Sequence, residues 1–136
     1  MTKLDEILSR KNLIFIEISL VCLYTGDFFI ERKRKMKLEF IINNAILTAK
    51  VSGELDHHIA KELREKIDMK LSTGIYNVLI FDFSDLDFMD SSGIAVIMGR
   101  VKYMDAVSGS VKIIVKDDNI LRILKMSGIS SFVEFI

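Results

Sequence analysis

The stretch LIFDFSDLDFMDSSG, residues 79–93, decides the fold because its periodicity changes part-way along. Val78, Leu79, Ile80 and Phe81 are consecutive apolar residues, the pattern of a short strand buried on both faces. Asp82, Asp85, Asp87 and Asp90 follow and read as an acidic loop. From Ile94 onward the apolar positions Ile97, Met98, Val101 and Met104 fall three or four apart, which makes one helical stripe. The segment therefore reads as strand, acidic loop, then a helix that begins at or just after Asp90, with Ser91 and Ser92 in its first turn.

The first turn of a helix presents backbone N–H groups without intrahelical partners and a partial positive charge, so it accommodates an anion or a phosphate. Asp90 is a good N-cap, and with Asp90 in that role the Ser91 hydroxyl stands free at the first helical position. With Ser91 as the cap, its oxygen would be occupied by a backbone N–H. On spacing alone the serines are either caps or the bearers of an anion.

Working outward, residues 37–42 and 45–51 are apolar segments separated by Asn43 and Asn44, a pair suited to a tight turn, so they read as a β-hairpin ended by Ser52 and Gly53. Glu54, Leu55 and Asp56 lead into a helix with Ile59, Leu63, Ile67 and Leu71 on one face, and Gly74 is placed to stop it. Beyond the central helix, VSGS at 107–110 is a turn and residues 111–115 form a strand. Asp117 and Asp118 open a helix carrying Ile120, Leu121, Ile123 and Leu124, which Met126, Ser127 and Gly128 end; residues 132–136 form a last strand. The order β-β-α-β-α-β-α-β predicts an α/β domain, a small mixed sheet with the hairpin first and helices packed mainly on one face.

Residues 1–35 behave differently. LIFIEISLVCLY at 13–24 is too short for a bilayer span, which takes about 20 residues, and ERKRK follows at 31–35. Asp5 and Glu6 spoil the basic region of a secretory signal, and a membrane-surface anchor is the other reading of an apolar run beside a basic cluster. The segment from Met36 makes a complete domain, so residues 1–35 are expected to be an N-terminal extension upstream of the true start, and no membrane partner is expected.

The 136 residues suit one domain, and at 50% apolar and 28% charged they can bury a core. Nineteen basic residues balance 19 acidic ones, and residues 36–136 carry 12 basic and 14 acidic, a net charge of −2, which argues against nucleic acid held by bulk electrostatics. Cys22 is the single cysteine, so no internal disulfide and no zinc cluster is available, and a reducing cytoplasm is the expected location.

Other chemistries fit poorly. His57 and His58 are adjacent, whereas metal-binding histidines on a helix usually sit four apart, so no metal is expected. A Ser/His/Asp triad of Ser91, His57 and Asp90 lacks a GxSxG elbow and anything in the sequence to fix its geometry. Gly93 and Gly99 each cost a helix about 1 kcal/mol relative to alanine, and so are expected to permit a close approach, Gly93 to a partner and Gly99 equally to a partner or to a neighbouring helix.

GELDHH at 53–58, FMDSSG at 88–93 and MSG at 126–128 resemble, with matching spacing, the recognisable stretches of the anti-sigma factor antagonists, the STAS domain family. The likeness covers residues 36–136, and Asp-Ser-Ser-Gly at a strand-to-helix junction is its specific part. The first 35 residues depart from the family pattern, as does the absence of proline from the 117–125 helix.

The resemblance implies a protein switch and not an enzyme, working without a cofactor of its own. In this family the first serine of the motif, here Ser91, is phosphorylated by an anti-sigma factor that is also a serine kinase using ATP. The unphosphorylated antagonist binds that kinase in its ADP form and frees the sigma factor, and a serine phosphatase restores it. Asp90, Ser91, Ser92 and Gly93 are then the partner-binding turn. The sporulation sigma factor F is the expected beneficiary, with a general stress sigma factor as the alternative and a small Ser91-dependent enzyme as the reading from another class.

Overall fold

The computed structural model describes Met36–Ile136; the expectations for residues 1–35 lie outside the described residues. The elements are β1 (Lys37–Asn43), β2 (Ile46–Leu55), α1 (His57–Leu71), β3 (Val78–Asp82), β4 (Leu86–Met89), α2 (Ser91–Ala106), β5 (Ser110–Ile114), α3 (Asp118–Met126), a 3-10 turn (Ile129–Ser131) and β6 (Glu134–Phe135).

β1 and β2 form the hairpin, antiparallel with Asn43 opposite Ile46, and Asn44 takes the positive φ of 56° that the turn needs. The remaining pairs, β2 with β3, β3 with β5, β5 with β6 and β2 with β4, are parallel, giving the order β1-β2-β3-β5-β6 with β4 off this path on β2. Each helical crossover steps one strand in the same direction. Right-handed crossovers that all advance the same way put their helices on the same face of the sheet.

Burial agrees with that handedness. Leu47, Ala49, Val51, Leu79, Phe81, Val111 and Ile113 alternate along three strands onto one face and are buried. Leu63, Ile67 and Leu71 of α1, Val96, Ile97 and Met104 of α2, and Ile120 and Leu124 of α3 cover them. Removing each such side chain from water contributes about 1.5–3 kcal/mol. Of the expected α2 stripe, Ile97 and Met104 are fully buried while Met98 and Val101 are half-buried against the core.

Four local expectations are corrected. The acidic loop contains β4, whose residues alternate irregularly (buried, exposed, exposed, buried) because the β2–β4 register shifts between Gly53 and Glu54. β2 does not end at Ser52 and Gly53: it leaves β3 after Lys50 and takes β4 as its new partner over Gly53, Glu54 and Leu55. Gly53, at φ 92°, bends the strand instead of stopping it. α1 ends at Leu71 without a left-handed glycine; the Ser72 and Thr73 hydroxyls donate to the carbonyls of Met69 and Lys70, each at 2.6 Å. The C-terminal segment spends Ile129–Ser131 in a 3-10 turn, so β6 is only Glu134–Phe135. No helix among the described residues is long and apolar enough to cross a membrane.

Candidate functional site

Leu55 and Met89 are register partners at the ends of the parallel strands β2 and β4, and the Asp90 N–H donates to the Leu55 carbonyl at 3.2 Å. The residues that follow, Asp56 and Asp90, are the N-caps of α1 and α2. Asp56 Oδ1 accepts from the N–H groups of His58 and Ile59, both at 3.0 Å, and Asp90 Oδ1 accepts from Ser92 N–H at 2.8 Å. Two helix N-termini, each with its partial positive charge, thus open side by side. GELDHH and FMDSSG, far apart in sequence, form one edge of the molecule.

Because Asp90 is the cap, Ser91 occupies the first helical position, exposed, and its hydroxyl makes no hydrogen bond within the described residues. Of the two sequence readings of this serine, the geometry realises the one that leaves the oxygen free. Ser92 is half-buried and gives its backbone N–H to the cap.

Gly93 is buried, and it permits a close approach inside the domain. A Cβ there would lie 2.7 Å from Met89 Cγ and 3.0 Å from Leu55 Cδ2. It lets the helix settle onto the ends of β2 and β4. Around Gly99 no described residue lies within 4 Å of such a Cβ, so no close helix contact is made there among the described residues.

The four aspartates have separate duties. Asp82 Oδ1 accepts from Ser84 N–H at 3.0 Å and from the Ser84 hydroxyl at 2.6 Å. Asp85 Oδ2 lies 3.3 Å from Lys50 Nζ, and that contact raises the Lys50 pKa above its ordinary value. Asp87 is exposed at the register shift, and Asp90 is the cap.

Sequence separation misjudged one contact. His57 Nδ1 lies 3.9 Å from Asp90 Oδ2, because β2–β4 pairing brings the two caps together. No hydrogen bond joins His57 to Ser91, so a base poised on the serine is not what this proximity supplies. The His57 and His58 rings pack at 4.0 Å between centroids, and among the described residues no group of three or more His, Cys, Asp or Glu converges as a metal site would.

Two features escaped the sequence reading. Phe88, paired with Glu54 on β4, is 47% exposed two residues before the cap, and the broken alternation of β4 hid it. Arg100, on the buried side of α2, is only 8% exposed, with Nε 2.9 Å from Asp68 Oδ1 of α1. That contact is ionic and lacks hydrogen-bond geometry, leaving Arg100 Nε and Nη1 buried without a hydrogen-bond partner. Burial lowers the Arg100 pKa, with Asp68 opposing and Arg64 adding to the effect.

Residues 37–136 match the STAS domain family. The chain is 31% identical over 94 residues to the anti-sigma F factor antagonist of Paenibacillus polymyxa, covering 69% of this chain and 80% of that one. It is 26% identical over 92 residues to the anti-sigma-B factor antagonist of Bacillus subtilis, covering 68% and 83%. The solved structure of the anti-sigma factor antagonist SpoIIAA in its unphosphorylated form superposes with a TM-score of 0.65 at 27% identity, over 75% of this chain and 88% of that one. SpoIIAA of Bacillus, described as a cell fate determinant, in its phosphorylated form superposes with a TM-score of 0.59 at the same 27% identity, over 75% and 91%. With its sheet order, its capped Asp-Ser-Ser-Gly junction and these matches, the chain belongs to the STAS domain family and stands among the anti-sigma factor antagonists.

Proposed function

We propose that the protein is a phospho-switched anti-sigma factor antagonist acting in the cytoplasm. Its unphosphorylated form docks on an anti-sigma factor that is also a serine kinase and so releases a sigma factor. Transfer of phosphate from ATP to Ser91 ends docking, and a serine phosphatase reverses it. The observation that carries this reading is the exposed Ser91 hydroxyl, without a hydrogen bond among the described residues, on the turn that Asp90 caps. SpoIIAA, to which the chain is similar, has been solved in both phosphorylation states.

Phosphorylation adds about −1.5 to −2 charge. A helix N-terminus offsets such charge by about 0.3–1 kcal/mol, and here α1 and α2 open together, so the fold tolerates the group. A partner surface bearing a nucleotide phosphate does not. One like-charge contact at about 4 Å, with an effective dielectric of about 20, costs on the order of 4 kcal/mol, close to a thousandfold in affinity.

Incubation with ATP and the anti-sigma kinase of the same organism, followed by phosphosite mapping, tests the reading; phosphate on any residue other than Ser91 refutes it. We assign sigma F first, on the relative that is 31% identical, and relatives that antagonise anti-sigma-B factor favour a stress sigma factor as the second reading. Which sigma factor is displaced from a reconstituted complex decides between them. ATP-independent turnover by the purified protein, abolished in Ser91→Ala, would instead support an enzyme.

A further inference from the structure

Beside the Ser91 turn, a groove of about 250 Å³ runs between α1 and α2. Ala60 and Val96, both buried, form its apolar floor, Ala95 and Ser92 line the α2 side, and Lys61 and Arg64 stand exposed on the α1 side. His57 closes it near the Asp90 cap.

The charges along this seam are unbalanced. Neither Lys61 nor Arg64 has an ion-pair partner among the described residues. Of the α1 carboxylates, Glu62 pairs with Lys66 at 2.6 Å and Asp68 with Arg100 at 2.9 Å, while Glu65, exposed on the same helix, pairs with neither Lys61 nor Arg64 among the described residues. The cap carboxylates of Asp56 and Asp90 are held by backbone N–H groups. Arg64 also lowers the pKa of buried Arg100, so its positive field reaches into the helix interface.

We infer that this groove is a second anchor for the anti-sigma factor, receiving an acidic side chain of that partner between Lys61 and Arg64 with its methylenes on Ala60 and Val96. The inference rests on the antagonist reading, because the groove is continuous with the turn through Ser92. Its volume is below the roughly 300–1,000 Å³ of a small-molecule site and suits one or two side chains. Two unpaired cations over an apolar floor select a carboxylate, and charges at such a rim act mainly on association rate and salt dependence.

The experiment compares the full chain with Lys61→Glu/Arg64→Glu and Lys61→Arg/Arg64→Lys for docking to the anti-sigma factor of the same organism, with Ser91→Asp alongside. The charge-reversed variant is expected to keep its circular dichroism spectrum, to lose at least tenfold in affinity chiefly through slower association, and to lose most of the salt dependence. The charge-conserving variant is expected to retain docking. Unchanged affinity in the charge-reversed variant, with Ser91→Asp still weakened, overturns the groove and leaves the switch standing. Loss with charge reversal while Ser91→Asp docks normally upholds the groove and overturns the switch. If charge reversal changes only the melting temperature of the phosphorylated protein, the cations latch the phosphoserine internally and the inference fails; absence of docking by the unphosphorylated chain refutes both.

Discussion

The backbone N–H of Asp90 donates to the carbonyl of Leu55 at 3.2 Å, and this hydrogen bond joins GELDHH to FMDSSG. Through it the caps of α1 and α2 sit side by side, and Ser91 shares an edge with the start of the other helix. On the proposed switch, an added charge on that edge is expected to alter what approaches the surface and to leave the core beneath intact.

Ser91→Ala removes a hydroxyl that makes no hydrogen bond among the described residues. It is expected to leave the urea midpoint unchanged and to dock on the anti-sigma factor constitutively. Ser91→Asp places a carboxylate in the first turn, which the helix favours by about 0.3–1 kcal/mol. It is expected to keep a native circular dichroism spectrum and to dock weakly; an unfolded Ser91→Asp would end the surface-switch account.

Asp90→Ala leaves Ser92 N–H without its acceptor and is expected to cost about 1 kcal/mol, the usual loss of an N-cap. Asp90→Asn keeps an oxygen in the same place. Denaturant titration of the two variants should separate them, and equal losses would mean that the carboxylate acts through charge and not as a cap.

The two glycines of α2 should respond in opposite directions. Gly93→Ala forces a methyl to 2.7 Å from Met89 Cγ, and overpacking of this kind costs about 1–3 kcal/mol. Gly99→Ala meets nothing within 4 Å and should stabilise the protein by about 0.5–1 kcal/mol through helix propensity. A double mutant of Gly93→Ala with Met89→Ala should show less than additive loss, since the second change removes the obstruction.

Arg100 and Asp68 bind α1 to α2 asymmetrically. Asp68→Ala strands a guanidinium that is 8% exposed; because Asp68 itself is half exposed, the loss is expected near 1–3 kcal/mol, below that of a fully buried pair. Arg100→Met replaces a cation with two unsatisfied donor atoms by an apolar chain and is expected to be neutral or stabilising. Thermal melts check both, and a large loss from Arg100→Met would show that the guanidinium contributes more than burial.

What the sequence determined by itself was local. The alternation of strand and helix, the stripe of α1, the Asn44 turn and the cap that frees Ser91 depend on periodicity and on hydrogen bonds spanning three or four residues, so they are legible in order along the chain. Only the tertiary structure decided the rest. β4 shows no period-2 pattern because its register shifts at Gly53, so it was visible only once β2 was there to pair with it. The adjacency of His57 to Asp90, the internal role of Gly93 and the burial of Arg100 follow from that pairing and from α1 packing on α2. Contacts between residues distant in the chain depend on sheet register and helix packing, which no local periodicity encodes.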